Sequence, residues 1–304
     1  MNTIKTCSKY STPAVSAHPH RRSESRALLV TGILGLFSAW TAMADINLGN
    51  ADPYTILYGG TGQLSFSASS EIGNIGVGNK ASVFLNPTSS VKGNVDFAGP
   101  SIITGGSHVT GSINTSVGSL SSAFADINSL STSMAGLSGN NLSIRLPGDQ
   151  TIHAADGKKN GNNYVFNVTD FKFEGGKVLT INGDNLDGNI VFNFNSFKKV
   201  DFNGTINLTG GLCSDDVLWN FTGGRTALGT KGNAGLDGIF LNPNGSISFG
   251  GNTDLGGRLF GGAGNDIKII ENSQIEINEC PEPSPCILFG LGALIFGIMC
   301  RRTA

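Results

Sequence analysis

Across residues 45–279 the apolar side chains come in short alternating bursts closed by Gly, Asn or Asp, as in Ile72-Gly73-Asn74-Ile75-Gly76-Val77, Val91-Lys92-Gly93-Asn94-Val95-Asp96-Phe97 and Val109-Thr110-Gly111-Ser112-Ile113. Period-two patterning of this kind predicts strands of roughly four to six residues joined by tight turns. The bursts recur at a nearly fixed interval. Gly73, Gly93 and Gly111 lie 20 and 18 residues apart, and Leu236-Asp237-Gly238-Ile239 is echoed 19 residues later by Leu255-Gly256-Gly257-Arg258-Leu259. An interval near 20 residues is one rung of a β-helix, in which each coil buries its apolar face only by stacking on the next. Phe-Leu-Asn-Pro occurs at 84–87 and again at 240–243, which suggests related corners. Further strands are expected at Tyr164–Val168, Val178–Ile181, Ile190–Phe194, Phe202–Leu208 and Val217–Phe221. The fold class is therefore all-β, a solenoid of short strands, with a β-sandwich as the alternative that periodicity alone leaves open.

One segment breaks the strand rhythm. From Ser119 to Leu137 the residues Leu120, Phe124, Ile127, Leu130, Met134 and Leu137 fall at helical three-and-four spacing, and Gly139-Asn140 follows as a stop. This predicts a single amphipathic helix over 119–137 that packs alongside the solenoid or caps it.

Composition supports short strands and tight turns: the 304 residues include 44 Gly but only 10 Pro, and 14% are charged. The formal charge of -2 conceals a contrast between body and ends. Seven of the 20 basic residues and one of the 22 acidic residues lie in residues 1–44 and in Arg301-Arg302, so the remainder carries about -8. That balance disfavours nucleic acid as a partner.

The ends read as addresses. Residues 1–26 are polar and basic, Ala27 to Trp40 are mostly apolar, and Ala42-Met43-Ala44 places small residues where a signal peptidase reads, so a mature chain is expected to begin near Asp45. At the other end Pro281-Glu282-Pro283 precedes an apolar run over 286–300 and then Arg301-Arg302. A run of that length falls short of the roughly 20 residues that span a bilayer comfortably, so it reads as a temporary stop in the inner membrane. These residues resemble the PEP-CTERM sorting tail of exported proteins in Gram-negative, exopolysaccharide-producing bacteria. The resemblance implies recognition by an exosortase, which removes the apolar piece and leaves the protein at the cell surface or in the extracellular matrix. An ordinary tail anchor is the alternative. Once both ends are trimmed, Cys213 and Cys280 are the cysteines an oxidising compartment would see; they either pair or stay as buried thiols.

The body resembles the choice-of-anchor A family of bacterial surface domains and, more loosely, β-helical ice-binding-like adhesive domains. The resemblance spans about Tyr54 to Ile277. It rests on the Gly73–Gly78 opening, the 119–137 helix, Val217-Leu218-Trp219-Asn220-Phe221, and Gly238-Ile239-Phe240-Leu241-Asn242-Pro243-Asn244 leading into Gly256-Gly257-Arg258-Leu259. It implies an adhesive or matrix role with no catalytic residues and no cofactor.

Residue chemistry agrees. His108 and His153 belong to no metal or triad spacing, and no nucleophile elbow, phosphate loop or dinucleotide fingerprint is present. Gly261-Gly262-Ala263-Gly264-Asn265-Asp266 matches the start of a calcium-binding β-roll repeat, but it occurs once and has Lys268 where that repeat is apolar, which leaves Asp266 a weak calcium candidate. Asp184, Asp187, Asp201, Asp215 and Asp216 are the residues from which a polysaccharide-cleaving carboxylate pair could come. The leading expectation is a noncatalytic exported protein that binds extracellular polysaccharide through ridges of Asn, Ser, Thr and Asp. The alternatives are a polysaccharide-active enzyme and an ice-binding protein, the latter wanting regular rows of threonine that the sequence does not display.

Overall fold

Alternation of apolar and polar residues commits the chain to strands too short to stand alone, and stacking resolves this. The structure is a computed structural model describing residues 46–67, 71–100, 102–262, 267–269 and 273–277. The expected signal peptide, the sorting tail, Asp266 and Cys280 lie outside the described residues.

The N-terminal coils comprise β1 (Ile56–Tyr58), β2 (Gln63–Phe66), β3 (Glu71–Ile72), β4 (Ile75–Val77), β5 (Ser82–Leu85), β6 (Ser90–Val91), β7 (Val95–Phe97), β8 (Ile103–Thr104) and β9 (Ile113–Asn114). Helix α1 (Ser119–Ala135) follows. The C-terminal coils begin with β10 (Asn140–Leu146), β11 (Gln150–His153), β12 (Lys158–Asn160), β13 (Asn163–Phe173), β14 (Val178–Asn182), β15 (Asn189–Phe194), β16 (Lys199–Asp201) and β17 (Thr205–Thr209). They continue through β18 (Val217–Phe221), β19 (Ala227–Gly229), β20 (Gly235–Asn242), β21 (Ser246–Phe249), β22 (Asp254–Gly261), β23 (Ile267–Ile269) and β24 (Gln274–Glu276).

Apart from the antiparallel β12–β13 hairpin, the ladders are parallel, and they form three faces. Face I runs β10, β13, β15, β18, β20, β22, β1, β4, β7, β9. Face II is a seven-stranded sheet ordered β16, β19, β21, β23, β2, β5, β8. Face III takes β11, β14, β17, the first halves of β20 and β22, then β24, β3 and β6. Strands β20 and β22 turn the corner between faces III and I at Gly238 and Gly257, whose φ of 119° and 145° an L side chain rarely adopts. This architecture replaces the β-sandwich alternative.

The stack is not in chain order. The last coil (β22, β23, β24) lies directly on the first (β1, β2, β3), with Ile56 opposite Leu259 and Leu64 opposite Ile267. Helix α1 therefore carries the chain from the β9 end back along face I towards the β10 end. Its 17 residues reach about 25 Å, roughly five strand spacings.

Two cores result. Inside the solenoid, Phe166, Phe192, Trp219 and Phe240 occupy one register line and stack with centroid separations of 5.3, 4.4 and 5.8 Å. Outside face I, Leu57, Val165, Val191, Leu218, Leu241 and Phe260 pack against α1. The helix turns Leu120, Ala123, Ile127 and Ser131 fully inward, while Phe124, Leu130 and Met134 flank them. Ser131 is a polar member of the buried stripe because an asparagine ladder meets it there. The Ser131 hydroxyl donates to Asn220 Oδ1 (2.7 Å), and Asn220 Nδ2 donates to Ser131 O and Asn193 Oδ1. Asn193 Nδ2 in turn donates to Met134 O in the last helical turn. The two fully buried amides of this ladder, Asn193 and Asn220, thus find partners, avoiding the roughly 1–3 kcal/mol cost of unpaired ones.

A second asparagine stack explains the recurring Gly-Asn. Asn74 Oδ1 accepts from the Asn94 N–H and Asn94 Oδ1 from the Ser112 N–H, both at 2.8 Å. A Cβ on Gly93 would come within 2.1 Å of Asn74 Oδ1, and one on Gly111 within 2.5 Å of Asn94 Oδ1.

Two sequence expectations need correction. Phe202 stands just past β16 in an isolated bridge and the expected strand begins only at Thr205 with β17, because the coil turns at Asn203-Gly204, where a Cβ on Gly204 would lie 2.3 Å from Lys177 O. The two Phe-Leu-Asn-Pro copies are not related corners. On β5, Leu85 points into the solenoid and Phe84 outward; on β20, Phe240 points inward and Leu241 meets the helix. The coil interval also varies, from 18 residues between Val95 and Ile113 to 30 between Thr205 and Gly235.

Candidate surface-binding face

Helix α1 packs on face I, and among the described residues no α-helix packs on the other two faces. Face III carries charge: Lys92 pairs with Glu276 at 3.1 Å, and burial together with the Glu276 charge raises the Asp254 carboxyl above its ordinary value. Face II also carries charge, at Lys199, Asp201 and Lys268, but sets serines beside it. Its inner positions are Leu64, Phe66, Val83, Leu85, Ile247 and Phe249, and the alternation aims Gln63, Ser65, Ser82, Ser246 and Ser248 outward. Parallel register lines Ser248, Lys268, Ser65, Phe84 and Thr104 up along one row. The hydroxyls of Ser248, Ser65 and Thr104 thus recur on every second strand of that row, about 10 Å apart, with Lys268 and Phe84 between them. Such a row can hydrogen-bond a repeating partner at several points along the sheet.

The sequence singled out neither face. The signal was present in Gln63-Leu64-Ser65-Phe66 and Ser246-Ile247-Ser248-Phe249, where the alternation marks which serines face out, but only the stacking shows that they share one sheet.

The five aspartates do not converge as a catalytic pair. Asp184 meets His153, Asp201 pairs with Lys199 at 2.8 Å, and exposed Asp187 lies in the bend before β15. Asp215 binds Arg258 through both carboxylate oxygens (2.9 and 3.0 Å), and Asp216 Oδ2 accepts from the Cys213 N–H at 2.7 Å, closing the 3-10 turn Ser214–Asp216. His108 ends the 3-10 turn Gly106–His108, apart from His153. Among the described residues no group of three His, Cys, Asp or Glu is placed to hold a metal. None of the described helices is long and apolar enough to cross a membrane. Cys213 is disulfide-bonded, and the expected partner Cys280 is outside the described residues.

His153 Nδ1 lies 2.7 Å from Asp184 Oδ1, and Asp184 Oδ2 accepts from the Ala155 N–H. The hydrogen bond to Asp184 raises the His153 pKa, and the bond from His153 lowers that of Asp184. The pair's stabilisation is complete below the unfolded histidine value of about 6.5 and fades as pH rises through the higher folded value; at the acid end it fades as pH falls through the depressed Asp184 value. An NMR titration is expected to place His153 above 6.5, and Asp184→Asn to bring it down; an unchanged titration in that variant would contradict the pairing.

This parallel β-solenoid with one helix along its side is similar in fold to solved ice-binding proteins. The ice-binding protein of the Antarctic ascomycete Antarctomyces psychrotrophicus superposes with a TM-score of 0.52 at 18% identity, covering 78% of this chain and 100% of that one. The DUF3494 domain of Shewanella frigidimarina ice-binding protein 1 gives 0.53 at 14%, covering 79% and 100%. A glycosylated ice-binding protein from an Arctic yeast gives 0.51 at 16%, covering 80% and 99%. At sequence level the ice-binding-like adhesive domain family matches residues 10–273, and the chain belongs to that family. No curated protein sequence matches it.

Proposed function

We propose that this protein is an exported, noncatalytic adhesin that holds an extended hydrated polymer, an exopolysaccharide of its own matrix, against face II. The observation that carries the reading is the outward row of Ser248, Ser65 and Thr104 on alternate strands of the seven-stranded sheet. Several weak, evenly spaced hydrogen bonds suit a repeating polymer, whose own repeat turns them into avidity. Family membership supports an adhesive role, and the scattered engagement of the aspartates speaks for binding without turnover.

On this reading signal peptidase cuts after Ala44, an exosortase acts at Pro281-Glu282-Pro283, segment 286–300 holds the chain in the inner membrane only in transit, and Cys213 pairs with Cys280. The protein then resides at the cell surface or in the matrix. The test is to incubate the purified exported protein with the host's exopolysaccharide. Retention on the polymer without release of soluble sugar is expected; released product would instead favour a polysaccharide-active enzyme.

Ice is the second reading, favoured by the solved ice-binding proteins that share this architecture. Against it, Lys268 places a strongly hydrated ammonium within the hydroxyl row and Lys199 with Asp201 charges one end. Inhibition of ice recrystallisation by the same preparation, without polymer retention, would select it.

A further inference from the structure

Resting on the adhesin reading, we infer that the cleft at the β16 end of face II seats the carboxylate of an acidic sugar, so that the polymer bound is a uronate-bearing one. The cleft has a volume of about 480 Å3, within the usual range for small-molecule sites. Phe171 and Phe173 form its apolar wall, and the three lysines Lys172, Lys199 and Lys231 line it together with Glu174 and Asp201. The isolated bridge between Phe173 and Phe202 extends the face II stack onto β13, placing this cleft in line with the hydroxyl row.

Its charge runs against that of the molecule. A body of about -8 overall presents here three lysines against two carboxylates, and Lys177 acts electrostatically on Glu174 as well. Lys172 pairs with Glu174 and Lys199 with Asp201, but these ammonium-bearing side chains are 63% and 64% exposed. Exposed pairs of this kind are worth about 0–1 kcal/mol, so a ligand carboxylate can share or exchange the partner at little cost. Among the described residues no ion pair engages Lys231, whose backbone N–H is fixed by Asn203 Oδ1 at 3.0 Å. A sugar ring laid with its apolar side on Phe171 would bring a ring carboxylate among the three ammonium groups. Neutral sugars lack the group that this excess of cation selects.

Polygalacturonate and its fully methyl-esterified form share a backbone and differ in the carboxylate, which makes them the probes. The purified exported protein is expected to bind the acid form about tenfold or more tightly than the ester. Joint replacement of Lys172, Lys199 and Lys231 by Gln should abolish that preference. Glu174→Gln, which removes a competing carboxylate, should strengthen binding of the acid form severalfold, an outcome that misfolding cannot imitate. Equal binding of acid and ester, or a preference that survives the triple substitution, would overturn the inference. If the host polymer is nevertheless retained, the adhesin reading stands without this cleft; if neither probe nor host polymer is retained, the reading itself has failed.

Discussion

Replacing Trp219 by alanine is expected to lower the free energy of unfolding by about 3–5 kcal/mol, the range for deleting a large aromatic from a packed core. Trp219 is fully buried, stacked on Phe192 at 4.4 Å and on Phe240 at 5.8 Å, with the Phe202 ring edge-on at 5.4 Å. Its Nε1–H donates to Asp237 O at 2.9 Å, which places the indole beneath the Gly238 corner. A coil in a solenoid is stabilised largely by its neighbours, so a hole at β18 weakens two interfaces at once. Trp219→Phe keeps a ring in the stack and loses the hydrogen bond, and should cost less, about 1–3 kcal/mol. Denaturant unfolding of the two variants checks both values; a loss below 1 kcal/mol for alanine would mean that the aromatic stack is incidental.

Arg258→Met is expected to cost a similar amount, about 3–5 kcal/mol, because it strands a charge partner in a buried network. Arg258 is 5% exposed and sits on β22 at the seam between the last coil and the first. Its guanidinium grips Asp215 in a two-pronged contact, donates to the carbonyls of Asp52 and Tyr54, and approaches Asp52 Oδ1 at 3.3 Å. One side chain thus joins three segments up to 206 residues apart. Arg258→Lys keeps the charge without the planar fork and should rescue only part of the loss. The distinctive sign is local: hydrogen exchange should accelerate at Ile56–Tyr58 before it does at Val217–Phe221. Equal acceleration of both would contradict a seam role.

Much of this architecture is readable from the residues. The apolar alternation, the Gly-Asn recurrence and the 19-residue echo between Leu236 and Leu255 all reflect stacking, and Leu236 does face Leu255 in the ladder. The 119–137 stripe gave the helix, two residues longer than Ser119–Ala135. The order of coils was hidden, because β1 finds β22 across 200 residues of chain and a parallel ladder leaves no local turn to announce it. Ser131 was hidden for a related reason. A serine on the buried side looks like an error in an amphipathic pattern until Asn220, 89 residues away, supplies its partner. The candidate face escaped notice because its rows are built from one or two residues per coil. Lys172, Lys199 and Lys231, far apart in sequence, share a cleft only once successive coils are stacked.

The central claim, that face II does the binding, is tested most directly by moving the same charge between faces II and III and measuring adsorption to the host's exopolysaccharide. The double variant Ser65→Glu with Ser248→Glu puts two carboxylates in the hydroxyl row of face II; Thr151→Glu with Asn207→Glu puts two on exposed positions of face III. Net charge changes equally, so general repulsion cancels in the comparison. The account predicts that the face II variant binds about tenfold or more weakly while the face III variant stays close to the parent. Equal weakening of both, or loss confined to face III, would contradict it.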